Sequence, residues 1–409
     1  MIKREQYIER LRSFINQPEI IKIIVGIRRC GKSVMLELIQ DELKGLGAKE
    51  ENFIKINFEK MSLSELRDSQ KLYAYLVSKI KKIKGRPYLF LDEIQEVDGW
   101  ESCVNSLRVE TDADIYLTGS NAKLLSGEYA TLIGGRYISL RMLPFSFKEY
   151  LLAKQKISPD IQVNDVFRKY LTYGGMPFVA AFNLGDNDAD SYLKDIYGSV
   201  VIKDVIQRNK IRNVDLLERI LAYVLSNIGS TFSANSISRF FINEKRKAAP
   251  ETVLNYLKAA QEAYLIYRIN RLDIPSKRIL KIDEKYYIAD HGIREAINGG
   301  NERDIERVLE NIVCLEMLGR GFEVRVGRIG DREIDFVCDK GKDRIYIQVS
   351  YLLAGEDTTE REFGIYSGIS DNYPKYVLSM DEIDLSRDGI IHRNIRDFLI
   401  SNEDFHMLG

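Results

Sequence analysis

Residues 23–33 most constrain this chain. The apolar run Ile23, Ile24, Val25 predicts a buried strand, and Val34 to Ile39 predicts a helix packed on a sheet. Between them Gly26, Gly31, Lys32 and Ser33 fit G-x-x-x-x-G-K-[ST]. Strand, glycine-rich turn and helix stand in the order that a phosphate-binding loop requires. Glycine tolerates positive φ and lets backbone N–H groups close round an anion, and the helix N-terminus adds its positive end. The expected phosphate cradle is Gly26, Ile27, Arg28, Arg29, Cys30, Gly31, Lys32, Ser33 and Val34.

The chemistry of such a loop predicts Mg²⁺ and ATP as its ligands. Lys32 is expected to reach the β- and γ-phosphates and Ser33 to ligate Mg²⁺. Phe53 to Phe58 alternates like a strand, and a helix-periodic stretch runs from about Leu63 to Ile83. The run from Arg86 to Ile94 then ends its apolar residues in Asp92 and Glu93. A strand carries Asp92 to the sheet edge, where it holds Mg²⁺ through water, and places Glu93 to polarise the attacking water. Asp114 to Asn121 predicts a further strand reaching the same edge. Thr118, Ser120 and Asn121 either sense the γ-phosphate and orient the water or cap the next helix, with Ser120 the catalytic candidate. Gly134 to Leu140 predicts the last strand, and Arg136 at its start is a candidate arginine finger for a neighbouring subunit.

Length bounds the rest. With 409 residues and 45% hydrophobic content, two to three domains are expected. Sixty basic and 61 acidic residues leave a formal charge of -1, so no global basic excess argues for nucleic acid. Cys30, Cys103, Cys314 and Cys338 lack paired metal spacing and fit free thiols in a reducing compartment. Cys30 is read as a small inert filler of the loop rather than an oxidant-sensitive thiol. His291, His392 and His406 form no ligand cluster. The N-terminus is mixed in charge and helix-periodic, without a signal-peptide core, and no segment approaches the apolar length of a membrane span. A soluble cytoplasmic protein is expected.

Residues 144–215 read as helices, with a turn at Tyr173 to Pro177. Lys203, Asp204 and Arg208 fall on a helical period and read as a solvated or inter-element face. From Leu216 to Arg271, three helices and a hairpin follow the winged-helix plan, the third started by Pro250. Lys245, Arg246 and Lys247, with Arg239, Lys258, Arg268 and Arg271, form a candidate DNA contact, although Glu251, Asn255 and Lys258 are a poor base-reading set. The alternative is packing against the ATPase or a partner. Beyond it come a helix from Ile305 to Leu318 and three strands, Phe322 to Arg328, Glu333 to Cys338 and Arg344 to Ser350.

That last order is similar to restriction-endonuclease-like folds. Glu310 and Asp335 match their acidic positions, but Gln348, Val349 and Ser350 stand where Glu-x-Lys belongs, so a degenerate nuclease is expected. Glu333 is the nearest carboxylate to complete such a site. The signatures Gly26 to Ser33, Leu89 to Ile94, Leu117 to Ser120, Leu125 to Glu128, Gly135 with Arg136, and Leu143 to Phe147 resemble prokaryotic AAA+ ATPases of the AAA_14 type, which usually carry a C-terminal DUF4143-type region. The order of strands, with one inserted between the P-loop strand and the Asp-Glu strand, is also the AAA+ pattern. No Gly-Ala-Arg sensor arginine is found. The resemblance implies an α/β protein with three parts. These are an AAA+ P-loop ATPase with a parallel sheet at 1–150, a helical and winged-helix region at 151–275, and a restriction-endonuclease-like domain at 276–409. It implies a homo-oligomer that couples Mg-ATP hydrolysis to conformational change, with an unassigned protein client. An ATP-gated switch and an ATP-dependent DNA nuclease are the alternatives.

Overall fold

The computed structural model describes residues 1–125, 135–182, 184–245, 248–299 and 304–401, without the side chains of 281–283. Ser126, Gly127, Glu128, Gly134, Arg246, Lys247 and His406 lie outside the described residues. Two compact units are present. One is Met1–Leu143 with Glu262–Tyr264, and the other is Pro144–Gln261 with Leu265–Gly409.

The first unit is built on five parallel strands: β1 (Ile21–Val25), β2 (Phe53–Asn57), β3 (Tyr88–Asp92), β4 (Asp114–Gly119) and β5 (Tyr137–Arg141). Their order is β2-β3-β4-β1-β5. β1, β3 and β4 are buried at every position, as a parallel sheet covered on both faces demands. The order seats β4 between β1 and β3, so the C-terminal ends of all three lie side by side. In open parallel sheets the ligand crevice forms at such an edge. The predicted helix over 63–83 divides into a 3₁₀ stretch, Met61–Arg67, and a helix, Ser69–Ile80. Asp68 causes the break: it is extended, and its carboxylate accepts the Lys71 N–H at 3.0 Å as an N-cap.

The second unit opens with helices. The turn before Pro177 is fixed by buried Asp290, whose Oδ2 accepts the Gly175 N–H at 2.7 Å. A Cβ at Gly175 would lie 2.1 Å from the Phe145 carbonyl oxygen, so glycine is required there. The stretch from Ser199 to Arg208 is not a plain solvated helix. Val200–Gln207 is a π-helical segment, and Asp204 is buried, paired with Arg208 at 2.9 Å. The wider turn is one way to bring that carboxylate inward.

Helices Val214–Ser226, Ala234–Asn243 and Pro250–Glu262 follow, with β6 (Thr231–Phe232) between the first two, then β7 (Ile266–Asp273) and β8 (Arg278–Ile288). Antiparallel β7-β8-β6 pairing completes the predicted three helices and hairpin. The sheet continues beyond it. After the helix Ile305–Gly319 come β9 (Glu323–Ile329), β10 (Arg332–Lys340) and β11 (Asp343–Val349). A helix, Glu356–Gly364, leads to β12 (Lys375–Ser379) and β13 (Ile390–Asn394). The eight-stranded order is β13-β12-β11-β10-β9-β7-β8-β6. β9, β10 and β11 are antiparallel, whereas β12 and β13 run parallel to β11. The boundary expected after residue 275 therefore falls in the turn between two paired strands. One core cluster joins Leu272 of β7 to Ile334, Val337, Tyr346 and Val377. Among the described residues no helix is long and apolar enough to cross a membrane.

Candidate functional site

The loop after β1 has the backbone its glycines predict. A Cβ at Gly26 would lie 2.3 Å from the Met142 carbonyl oxygen, and Gly31 has φ 101° immediately before the helix Lys32–Gly45. Ile27 and Cys30 are buried, Arg28 is half-buried and pairs with Glu59 at 2.9 Å, and Arg29, Ser33 and Val34 are exposed. The Cys30 thiol is pushed up by burial, which matches an inert filler. Lys32 Nζ donates to the Gly26 and Ile27 carbonyls at 3.2 and 3.3 Å and lies 3.5 Å from Glu93 Oε1.

The acidic pair at the end of β3 is held from two neighbouring strands and from the helix Lys32–Gly45. Asp92 accepts the Thr118 hydroxyl of β4, the Asn57 amide of β2 at 2.8 Å, and the Ser33 hydroxyl. Burial still leaves its carboxyl above the ordinary range. Glu93 adopts φ 55°, a left-handed conformation that is strained for a glutamate. Its N–H donates to Thr118 Oγ1 at 2.9 Å, which supports that turn. Burial works against the Glu93 charge, but the Lys32 ammonium and hydrogen bonds from Gln95 and Ser120 more than offset it. The carboxyl sits below its usual range.

The three polar residues at and just beyond the end of β4 thus divide. Thr118 and Ser120 touch the acidic pair, while Asn121 accepts the Lys123 N–H at 2.8 Å and caps the next turn. Arg136 is exposed just before β5, and its carbonyl accepts the Ile21 N–H at 3.0 Å. Because β5 is parallel to β1, Arg136 lies at the opposite end of the sheet from its own phosphate loop. The two ends are separated by roughly 16 Å of strand.

Sequence reasoning missed several supporting residues. Buried Arg4 donates to the Cys30 and Leu143 carbonyls at 3.3 and 2.9 Å, and Tyr7 Oη accepts the Leu143 N–H at 3.2 Å. Asn57 and Gln95 were also missed, although both sit at motif edges. Ser33 and Asp92 offer two hard oxygen donors side by side. That suits Mg²⁺, which takes its other ligands from water and phosphate.

Among the basic residues of the helix-and-hairpin module, Arg271 pairs with Glu333 at 3.2 Å and Arg268 with Glu284 at 3.7 Å. Arg239, Lys245 and Lys258 are exposed. Farther on, Glu310, Glu333, Asp335 and Gln348 are brought together, but around Lys285, which the sequence did not single out.

Comparison with known proteins agrees with this geometry. A family profile, AAA_14, described as an AAA domain, matches residues 18–151, and one described as a domain of unknown function, DUF8612, matches 164–304. An uncharacterized protein of Haemophilus influenzae is 36% identical over 380 residues, 93% of either chain. The chain belongs to this AAA-domain family. A second relative, the uncharacterized protein MJ1544 of Methanocaldococcus jannaschii, is 30% identical over 85% of this chain and 78% of its own. The Walker-type ATPase PABY2304 of Pyrococcus abyssi aligns with the AAA-domain chain over 73% of its length and 96% of the other. The TM-score is 0.51 at 15% identity, a likeness of fold. The part beyond the AAA domain matches DUF8612 where a DUF4143-type region was expected. That profile spans the helical segment through β8 and stops before the helix Ile305–Gly319.

Proposed function

We propose that this AAA-domain protein binds and hydrolyses Mg-ATP and couples the cycle to conformational change in a homo-oligomer. The convergence of Lys32, Ser33, Asp92 and Glu93 at one sheet edge carries the reading. The loop from Gly26 to Val34 cradles the phosphates with backbone N–H groups, and Lys32 neutralises them. Ser33 and Asp92 would hold Mg²⁺, which when bound offsets the phosphate charge. Glu93, ionised at neutral pH by its surroundings, accepts a proton from water, and Ser120 steadies that carboxylate. Arg136, remote from its own loop, acts on the nucleotide of a neighbouring subunit, which makes the oligomer part of the catalyst.

A slow, switch-like cycle is favoured by one detail. Glu93 is engaged by Lys32, Gln95 and Ser120 together, so it must release partners before it meets water. For the second unit a protein client is favoured over DNA. Arg268 and Arg271 are taken up by glutamates, while Phe240, Ile242 and Leu254 are exposed on the helices of the module.

Steady-state ATP hydrolysis with nucleotide-binding measurements tests the reading. Lys32→Ala should abolish binding, and Glu93→Gln should bind ATP yet turn over at least a hundredfold more slowly. Full turnover by Glu93→Gln would remove that residue from the mechanism.

A further inference from the structure

Away from the phosphate loop, four charged side chains meet in the second unit. Lys285 projects from β8 with only 5% of its side chain exposed. Its Nζ lies 2.7 Å from Glu310 Oε1 on the helix Ile305–Gly319, and 2.9 and 3.5 Å from Glu333 Oε1 and Asp335 Oδ1, both on β10. Each of these carboxylates has a further partner. Glu310 Oε1 also accepts the Tyr287 hydroxyl at 2.5 Å, Glu333 Oε2 faces Arg271 at 3.2 Å, and Asp335 Oδ2 accepts the Val349 N–H at 3.0 Å. Backbone closes the remaining side, since a Cβ at Gly229 would lie 2.7 Å from Glu310 Oε2.

Glu310 and Asp335 are the acidic positions where the nuclease-like reading places a divalent cation. The residues do not fit one. The central position is filled by an ammonium. Gln348 turns its acceptor to the Asp335 N–H at 3.2 Å, and the Ser350 hydroxyl donates to the Leu352 carbonyl. Among the described residues no group of three or more His, Cys, Asp or Glu is arranged to hold a metal ion.

We propose that Lys285 is the resident cation of this centre: a tethered ammonium stands in the place of a divalent ion, closes the centre to metals, and fastens β8 to β10 and the helix Ile305–Gly319. The charges balance without a metal. Two cations, Lys285 and Arg271, face three carboxylates. Burial and the Glu310 charge hold the Asp335 carboxyl well above its usual range, which favours its neutral form and brings the centre towards two charges of each sign. A buried charge cluster keeps its place only when paired in this way. On this proposal the centre is not built to cleave phosphodiesters, because the ammonium takes the position a metal would need.

Removing the ammonium should convert the centre into a metal site. The test is Mn²⁺ binding by the full chain without nucleotide, in a Lys32→Ala background that removes the phosphate loop from the count. Bound metal is read by electron paramagnetic resonance. The parent should show no Mn²⁺ site that responds to Asp335→Asn. Lys285→Ala should gain one site per chain, at least tenfold tighter than any in the parent, and lose it when Asp335→Asn is added. If Lys285→Ala does not fold alone, Mn²⁺ in the refolding buffer should rescue it, since metal binding then supplies the missing cation. Three results would overturn the proposal. They are an Asp335-dependent Mn²⁺ site in the parent, a folded Lys285→Ala that gains none, and an unfolded one that Mn²⁺ fails to rescue.

Discussion

Thr118 donates its hydroxyl to Asp92 Oδ1 across the β3–β4 pair. Thr118 Oγ1 in turn accepts the Glu93 N–H at 2.9 Å, so one small side chain orients both acids of the site. Thr118→Val keeps the shape and removes both bonds. Turnover of ATP should fall by roughly 10–100-fold, the range for losing a partner of a metal-holding residue. Nucleotide affinity should change far less, because the loop from Gly26 to Ser33 is untouched. Parallel kinetic and binding titrations decide it, and an equal loss in both would show that Thr118 merely supports the fold.

Arg4 should prove a stability residue of the AAA domain. It satisfies carbonyls at Cys30 and Leu143 that lie 26 and 139 residues away. Arg4→Ala leaves both without that donor, at a cost of about 1–3 kcal/mol for each buried acceptor left unpaired. Urea unfolding is expected to show this loss. Weaker nucleotide binding should accompany it, because the Cys30 carbonyl belongs to the loop.

A shared site can be read by mixing. Lys32→Ala and Arg136→Ala chains should each be nearly inactive alone. In a random one-to-one mixture about a quarter of head-to-tail contacts join an intact Lys32 to an intact Arg136. Activity should rise towards that fraction of the wild-type rate. No recovery in an assembly shown to exchange subunits removes Arg136 from the catalytic set.

Asp290 and His291 should oppose each other in acid. Burial pushes Asp290 up to about 7, so its contribution is fully present below pH 4 and is lost as pH rises through 7. Burial pushes His291 down to about 4, so its contribution is present above pH 6.5 and is lost as pH falls towards 4. Across pH 4–7 the two slopes partly cancel. Asp290→Asn should expose a steeper fall of Tm on acidification, and His291→Phe a shallower or reversed one. Identical Tm profiles for both variants and the parent would contradict the assignment.

The AAA domain was legible because its signals are local. Val25 to Lys32 states strand, turn and helix within ten residues, and the apolar run before Asp92 does the same for β3. The residues that steady the site were not legible. Arg4, Asn57 and Thr118 act through partners 26 to 139 residues away, which no spacing rule reaches. β9, β10 and β11 were read within one or two residues, but β12 and β13 were not foreseen and the pairing of the sheet was not read. A parallel β7–β9 contact leaves no mark in either strand's own pattern. Lys285 stayed hidden for a related reason: in a strand, a lone lysine reads as solvated until its neighbours are known.

That β7–β9 contact also bears on how the chain is made. β7 and β8 leave the ribosome well before β9, because Arg271 pairs with Val326. Until then the outer edge of β7 offers unpaired N–H and C=O groups, the surface on which chains associate wrongly. Late, long-range pairing of this kind slows folding. A fragment ending at Ile288 should therefore aggregate when expressed, and only chains extending past β9 should yield monodisperse second unit.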